Sequence, residues 1–334
     1  MKARKGRGLI ALLAVSLLGH SPEVGAQEGK IRVAYASPTV YEMPVVVAKE
    51  MGFFAKNGLD VDVVFISGGT TSLMALIAGN TVINQSPSPE VINATLGGHE
   101  VVFVAGGTTT LDYWLTSRAG IQSPAQLKGG SVAISRYGSV SDFVARFLLT
   151  RLGLTPVRDV AVLEIGDTLT RVSAVLAGRV TATVINPPAA FIAFRQGLVS
   201  LGDTTSLGLV FQFTAPVTTR RFIRERPDII RNYVRAHVEA VHFMKTEKEA
   251  GKRLAAKYFR AKDKEAWDKA YDFAVSDGTM PAKQYPSLAG IKTALDMQAE
   301  RDPRAHTLKP EQLAEMSFIK ALDDGGFIDK LYRR

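Results

Sequence analysis

The stretch DVDVVFISGGTTSLMALIAGNTVINQSPSPEVI, residues Asp60–Ile92, decides how the chain folds. Val61 to Ile66 is an apolar run bounded by Gly58 and Gly68, the pattern of a buried strand. Gly68-Gly69-Thr70-Thr71 leads into a helical run over Ser72 to Ala78, which Gly79 ends. Thr81 to Gln85 reads as a second strand and Pro89 to Leu96 as a second helix. Shifted by 99 positions, the chain repeats itself, and Asp159–Phe191 keeps nine of these 33 residues. Asp60, Val61, Val63, Ile66, Thr71, Ala75, Ala78, Gly79 and Pro89 recur as Asp159, Val160, Val162, Ile165, Thr170, Ala174, Ala177, Gly178 and Pro188. These residues punctuate structure: a strand, a helix start, a helix-stopping glycine and a proline-opened helix. Two lobes of similar build are the expectation.

The same alternation continues outward from both copies. Ile31 to Ala36, Val101 to Ala105, Val132 to Ser135, Val160 to Ile165 and Ala182 to Ile185 read as strands. Pro44 to Met51, Ser139 to Leu152, Leu169 to Leu176 and Pro188 to Gln196 read as helices between them. Strands alternating with helices of this length indicate largely parallel α/β sheets. Tyr113 to Ser117 reads as a strand that connects the halves. From about Asp228 helix formers dominate, over Ile229 to Lys245, Lys248 to Phe259, Asp263 to Val275 and Pro310 to Leu322. This helical tail is expected to pack back on the first lobe.

Composition narrows the function. The 334 residues are 46% hydrophobic and 22% charged, as in an ordinary globular protein of about two domains. Cysteine is absent, which removes disulfides, thiolate nucleophiles and Cys-ligated metal centres. Lys2, Arg4, Lys5 and Arg7 precede the apolar run Leu9 to Leu18, and Val24-Gly25-Ala26 offers a cleavage site. Residues 1–26 therefore read as a secretory signal. Ten apolar residues span about 15 Å as a helix, half of a bilayer core. Without this segment 37 basic residues face 31 acidic ones, a net charge of +6. The bases are scattered, so nucleic-acid binding has no support. The mild excess leans towards an anionic partner.

Catalytic constellations are missing. There is no G-x-S-x-G, H-E-x-x-H or G-x-x-x-x-G-K-[ST]. His237 and His242 are five apart on a helix and do not share a face. His99 reads as a turn residue and His306 as solvated. The loops after the strands carry the signal instead: Ser37-Pro38-Thr39, Ser67 to Thr71, Ser86-Pro87-Ser88, Thr108-Thr109-Thr110, Ser135 to Ser139, Gly166-Asp167-Thr168 and Asn186-Pro187. In an open α/β sheet ligands sit beyond the carboxyl ends of the strands, where helix N-termini present free N–H groups. Small hydroxyl residues there can hold a small polar or anionic molecule without transforming it. Arg136 and Tyr137 interrupt these small residues, the first suited to pair with an anionic group, the second to close over a ring. Phe211 and Phe213 lie in the segment returning to the first lobe, and one of them is placed to face the cleft.

At this point the chain resembles a known family. Lys49 to Val61 (KEMGFFAKNGLDV), Gly68-Gly69, Ala75 to Gly79, Ser123 to Gly129 and Asn186-Pro187-Pro188 look like the solute-binding proteins of ABC importers, in the nitrate/sulfonate/taurine and pyrimidine-precursor (NMT1/THI5-like) group. The resemblance covers about Ile31 to Phe222. It implies an α/β, two-lobed periplasmic binding protein type II fold, each lobe an α/β sheet, with a helical C-terminal region. Lobe 1 would comprise residues 27–111 plus 215–334, and lobe 2 residues 112–214. Family position places the cleft contacts at Ser37, Thr39, Gly69, Thr70, Thr71, Ser86, Ser88, Ser139, Val140, Asp167 and Asn186. Thr109, Arg136, Tyr137 and Phe213 join them from the loop reading. The family's aspartate three residues after each helix-ending glycine is replaced here by Val82 and Thr181.

The implied function is a monomeric, periplasmic, non-catalytic binding protein. It would carry no cofactor or metal and deliver a small solute to an inner-membrane permease and its ATPase. A sulfonate, a carboxylate, nitrate or a heterocycle all stay open as the solute. A pyrimidine-forming or chorismate-type enzyme of related fold, or a sensor that docks a receptor, are the alternatives.

Overall fold

A computed structural model describes residues 30–333; the expected secretory signal lies outside them. Ten strands form two five-stranded sheets. In chain order they are β1 (Ile31–Tyr35), β2 (Val61–Phe65), β3 (Ile83–Ser86), β4 (Val101–Phe103), β5 (Trp114–Arg118), β6 (Ser131–Ile134), β7 (Ala161–Glu164), β8 (Ala182–Ile185), β9 (Leu198–Asp203) and β10 (Ala215–Thr219). The first sheet runs β2-β1-β3-β10-β4 and the second β7-β6-β8-β5-β9. In each, four strands run in one direction and one, β10 or β5, runs antiparallel to both its neighbours, next to the last member.

The internal repeat is structural down to the pairing register. Val33 faces Ile83 and Ala34 faces Asn84 in the first sheet. Val132 faces Ala182 and Ala133 faces Thr183 in the second, all four displaced by 99. The edge pairs Arg32–Asp62 and Ser131–Ala161 obey the same shift. A one-residue slip would exchange buried and exposed faces, so the shared apolar pattern holds the shared register.

Two segments cross between the sheets and pair with each other. Phe211 N–H donates to Thr109 O and Phe213 N–H to Thr108 O, both at 2.9 Å. Thr108 N–H returns a bond to Thr214 O at 3.1 Å. Gly107 permits this approach, because a Cβ there would fall on the Thr214 carbonyl oxygen.

The motif Lys49 to Val61 owes its form to the long helix Pro227–Thr246. Phe54 stacks on Tyr233 with ring centroids 5.3 Å apart. Lys56 and Asn57 both donate to the buried Glu239, at 2.5 and 2.6 Å. Gly52 and Gly58 turn the chain with φ of 75° on either side of the short helix Phe53–Lys56. The tail thus packs on the first lobe through its apolar face. One expected helix is divided. Residues 310–322 form a short turn at Pro310–Leu313 and a separate helix, Ser317–Asp324. Between them Ala314 bridges to Phe103 and Glu315 N–H donates to Phe103 O at 2.8 Å. The edge strand β4 captures the backbone there and prevents a continuous helix. Helices Leu288–Ala299 and Arg220–Glu225, which the sequence reading did not include, complete the tail's packing.

Candidate functional site

A cleft of about 230 Å³ lies between the lobes, beyond the carboxyl ends of the parallel strands. The loop Ala36 to Thr39 and the start of the helix Gly69–Ile77 form one wall. Val140, Ser141 and Asp167 to Leu169 form the other, with Asn186 at the end of β8. Tyr113 and Phe213 come from the crossing segments and form the floor, their rings edge to face at 5.9 Å. Phe213 also packs edge to face on Tyr41 at 5.4 Å.

Of the expected contacts, Ser37, Thr39, Gly69, Val140, Asp167, Asn186 and Phe213 line this cleft. Thr70, Thr71, Ser86, Ser88, Thr109, Arg136, Tyr137 and Ser139 lie outside its walls. Ser88 donates its hydroxyl to Gln212 O at 2.8 Å, and Thr109 to Gly278 O at 3.1 Å. Ser86 is buried inside β3. Ser139 caps the helix Val140–Arg151 and shares hydroxyl bonds of 2.8–2.9 Å with Ser135 and Ser141, which do line the cleft. Arg136 is exposed and pairs with Glu164 at 3.8 Å. Tyr137 donates its hydroxyl to Val162 O at 2.9 Å, which holds its ring on the outer surface against β7. The two large residues singled out by sequence thus decorate the rim.

The cleft holds charges that the loop reading missed. Glu42 and Glu90 are 5% and 3% exposed and both face it from the first lobe. Glu90 Oε1 accepts from Val140 N–H at 2.9 Å, across the cleft. Glu42 Oε1 accepts from Ala36 N–H at 3.4 Å. Burial pushes the Glu90 carboxyl up to about 8 and holds that of Glu42 well above the usual range. Arg171 supplies a cation from the second lobe. Its guanidinium is buried and donates to Gly166 O, Val184 O and the hydroxyls of Thr168 and Thr183 at 2.8–3.2 Å. Burial lowers its affinity for the proton to a pKa of about 10. Under the 99-residue shift Arg171 replaces Ser72, and Thr183 replaces Asn84, which donates to Ser72 at 3.0 Å. A lone acid in each of the apolar stretches Thr39 to Val47 and Pro87 to Ile92 was the available signal.

Both rims are clasped. On one side Asn93 donates to Gly138 O at 2.9 Å, and Arg301 pairs with Asp142 at 3.4 Å. On the other Arg195 pairs with Asp263 and with Glu265. Past Ser37, Thr39 and Asn186 the cleft opens into a vestibule of about 660 Å³, walled by Phe259, Trp267, Arg260 and Lys262. Among the described residues no cluster of histidine and acidic side chains could hold a metal ion, and no helix is long and apolar enough to cross a membrane.

Two α/β lobes joined by paired crossing segments around a buried cleft define the periplasmic binding protein fold. The NMT1/THI5-like family model matches residues 39–250, and the chain belongs to that family. It is similar to the periplasmic nitrate-binding protein NrtA from Synechocystis PCC 6803, at 15% identity and TM-score 0.76, over 89% of this chain and 88% of that one. The aliphatic sulphonate binding protein SsuA from Escherichia coli matches at 20% identity and TM-score 0.66, over 85% and 91% of the two chains. A structure from Bordetella bronchiseptica RB50 matches at 21% identity and TM-score 0.77, over 89% and 97%. A protein of Bacillus subtilis strain 168 named for binding, YtlA, is 24% identical over 173 residues, 51% of this chain. That match spans about half the length of the curated relative.

Proposed function

We propose that this chain is the solute-binding component of an ABC importer. Residues 1–26 direct it out of the cytoplasm and are removed. Residues 27–111 with 215–334 form one jaw, and 112–214 the other. A small organic solute enters the cleft, both jaws close on it, and the closed form docks an inner-membrane permease, whose ATPase drives uptake. The relatives with sulphonate and nitrate in their names support the transport role; they do not name the solute.

The observation that carries this reading is the cleft itself, walled by both lobes and floored by the segments that connect them. A ligand that touches both walls binds the closed state better than the open one and shifts the population towards it. Reversing a 1:99 equilibrium takes about 5.5 kcal/mol of differential binding. Charge-assisted hydrogen bonds at about 1.5–3 kcal/mol each supply that with a handful of contacts. Leu169 and Phe65, 66% and 51% exposed at the mouth, offer apolar surface that a bound solute would cover.

The test is small-angle scattering of the purified exported chain with and without a bound solute, followed by recovery of the solute. Compaction with the solute chemically unchanged is expected. Turnover of the solute by the protein alone would overturn the reading in favour of an enzyme.

A further inference from the structure

We propose that the solute carries a cationic nitrogen, an ammonium or amidinium group, received between Glu42 and Glu90. This rests on the solute-binding reading and names the chemistry of its cleft.

The start of a helix is the usual place for an anion in an α/β cleft, because free N–H groups and the helix dipole converge there. At the start of the helix Val140–Arg151 that place is taken by the protein's own carboxyl group. Glu90 accepts from the first N–H of the helix Val140–Arg151 and lies against the first residue of the helix Gly69–Ile77. A Cβ on Gly69 would collide with Glu90 Oε1, so the glycine is what admits the carboxyl group. An anionic solute group at that helix start would meet Glu90.

The second oxygens of both acids point to the missing partner. Glu42 Oε2 and Glu90 Oε2 are buried and have no hydrogen-bond partner among the described residues. A buried acceptor left unpaired is costly, more so when charged. Arg171, the cation in the wall, makes its hydrogen bonds to neutral oxygens of its own lobe and none to either glutamate. Under the repeat shift Glu42 corresponds to Ser141 and Glu90 to Ala189. The acids are therefore an addition to one lobe, not part of the common framework. A nitrogen with two or more N–H donors satisfies both free oxygens and restores the charge that burial suppresses. Asp142 from the facing helix acts on Glu90, and Glu90 acts on Glu42 in its own lobe; Tyr113, Arg171 and Asp167 complete the charged and phenolic surroundings. Phe65 and Leu169 suit the apolar remainder of the solute.

The experiment is a thermal-shift and calorimetric screen of the purified exported chain. Its core is the isosteric set benzamidinium, benzamide and benzoate, widened with small ammonium ions, amides, sulfonates, carboxylates and nitrate. Calorimetry is run in two buffers of different ionisation enthalpy at pH 7. Cations are expected to be the binders and to release protons as they bind, because their arrival ionises the acids. Glu42→Gln and Glu90→Gln should each weaken cation binding tenfold or more, while the empty variants melt no lower than the parent. If anions or uncharged isosteres bind and cations do not, the inference falls and the solute-binding reading stands. Cation affinity unchanged in both variants also overturns it. If nothing in the screen binds, the solute-binding reading falls with it.

Discussion

Arg195, the last residue of the helix Ala189–Arg195 in the second lobe, donates to Glu265 at 3.0 Å in the tail helix Lys264–Ala274 that packs on the first. The same guanidinium pairs with Asp263, the N-cap of that tail helix. One side chain therefore ties the two lobes together at the vestibule. All three partners are partly solvated, and exposed pairs contribute at most about 1 kcal/mol to folding. Arg195→Ala should change unfolding stability by no more than about 1 kcal/mol. It should widen the empty protein in solution scattering and raise the dissociation constant of a bound solute by two- to tenfold. An unchanged radius of gyration would show that this pair does not hold the jaws.

Gly107 lies where the two crossing segments touch. A methyl group there would occupy the position of the Thr214 carbonyl oxygen, a backbone atom that cannot swing aside. Gly107→Ala should lower unfolding stability by about 2–4 kcal/mol in urea titration. It should also separate Thr108 from Thr214 and weaken the floor of the cleft. A loss below about 0.5 kcal/mol would mean that the crossing segments are free to shift.

The buried acids make stability depend on pH. Glu90 and Asp112 are both pushed up to about 8 by burial, against about 4 in the unfolded chain. The folded protein therefore binds more protons than the unfolded chain between those limits. Its stability falls as pH rises and levels off above 8. His237, buried with Nε2 3.1 Å from Gly106 O and from Gln284 Oε1, is pushed down to about 4, which gives the opposite slope below pH 6.5. The range from pH 6.5 to 8 is free of that opposition. The melting temperature of the empty protein should fall across it, and Glu90→Gln should flatten the slope. A melting temperature that rises over that range would contradict the neutral, buried state of these acids.

Arg136 stands outside the cleft, exposed, 3.8 Å from Glu164 on the second lobe's edge strand. Arg136→Ala should leave solute affinity within a factor of two by calorimetry. A tenfold loss would return this residue to the site, as the sequence reading placed it.

The lining of the cleft was legible where a loop both follows a strand and opens a helix. Ser37, Thr39, Gly69, Val140, Asp167 and Asn186 satisfy that condition and line the cleft. Ser88 and Thr109 occur in similar loops, but their hydroxyls are taken up by backbone carbonyls of the framework. Polar loop residues serve caps and turns as readily as ligands, and local sequence does not distinguish the two. Glu42, Glu90 and Arg171 were hidden for the opposite reason. They sit in helical or near-helical segments, where a charged residue ordinarily marks the solvent face.

The residues alone determined the repeat, the strand–helix alternation and the helical tail, because apolar periodicity and glycine or proline punctuation are local properties. The 99-residue shift even carried the pairing register of both sheets, since the same apolar face had to be buried in each. Only the tertiary structure decided the charge of the cleft. Whether Glu90 faces water or Val140 depends on how one lobe meets the other, and that meeting joins residues 50 positions apart in sequence. Net charge summed along the chain says nothing of it, because a buried carboxyl group responds to the few groups and the low-dielectric walls around it.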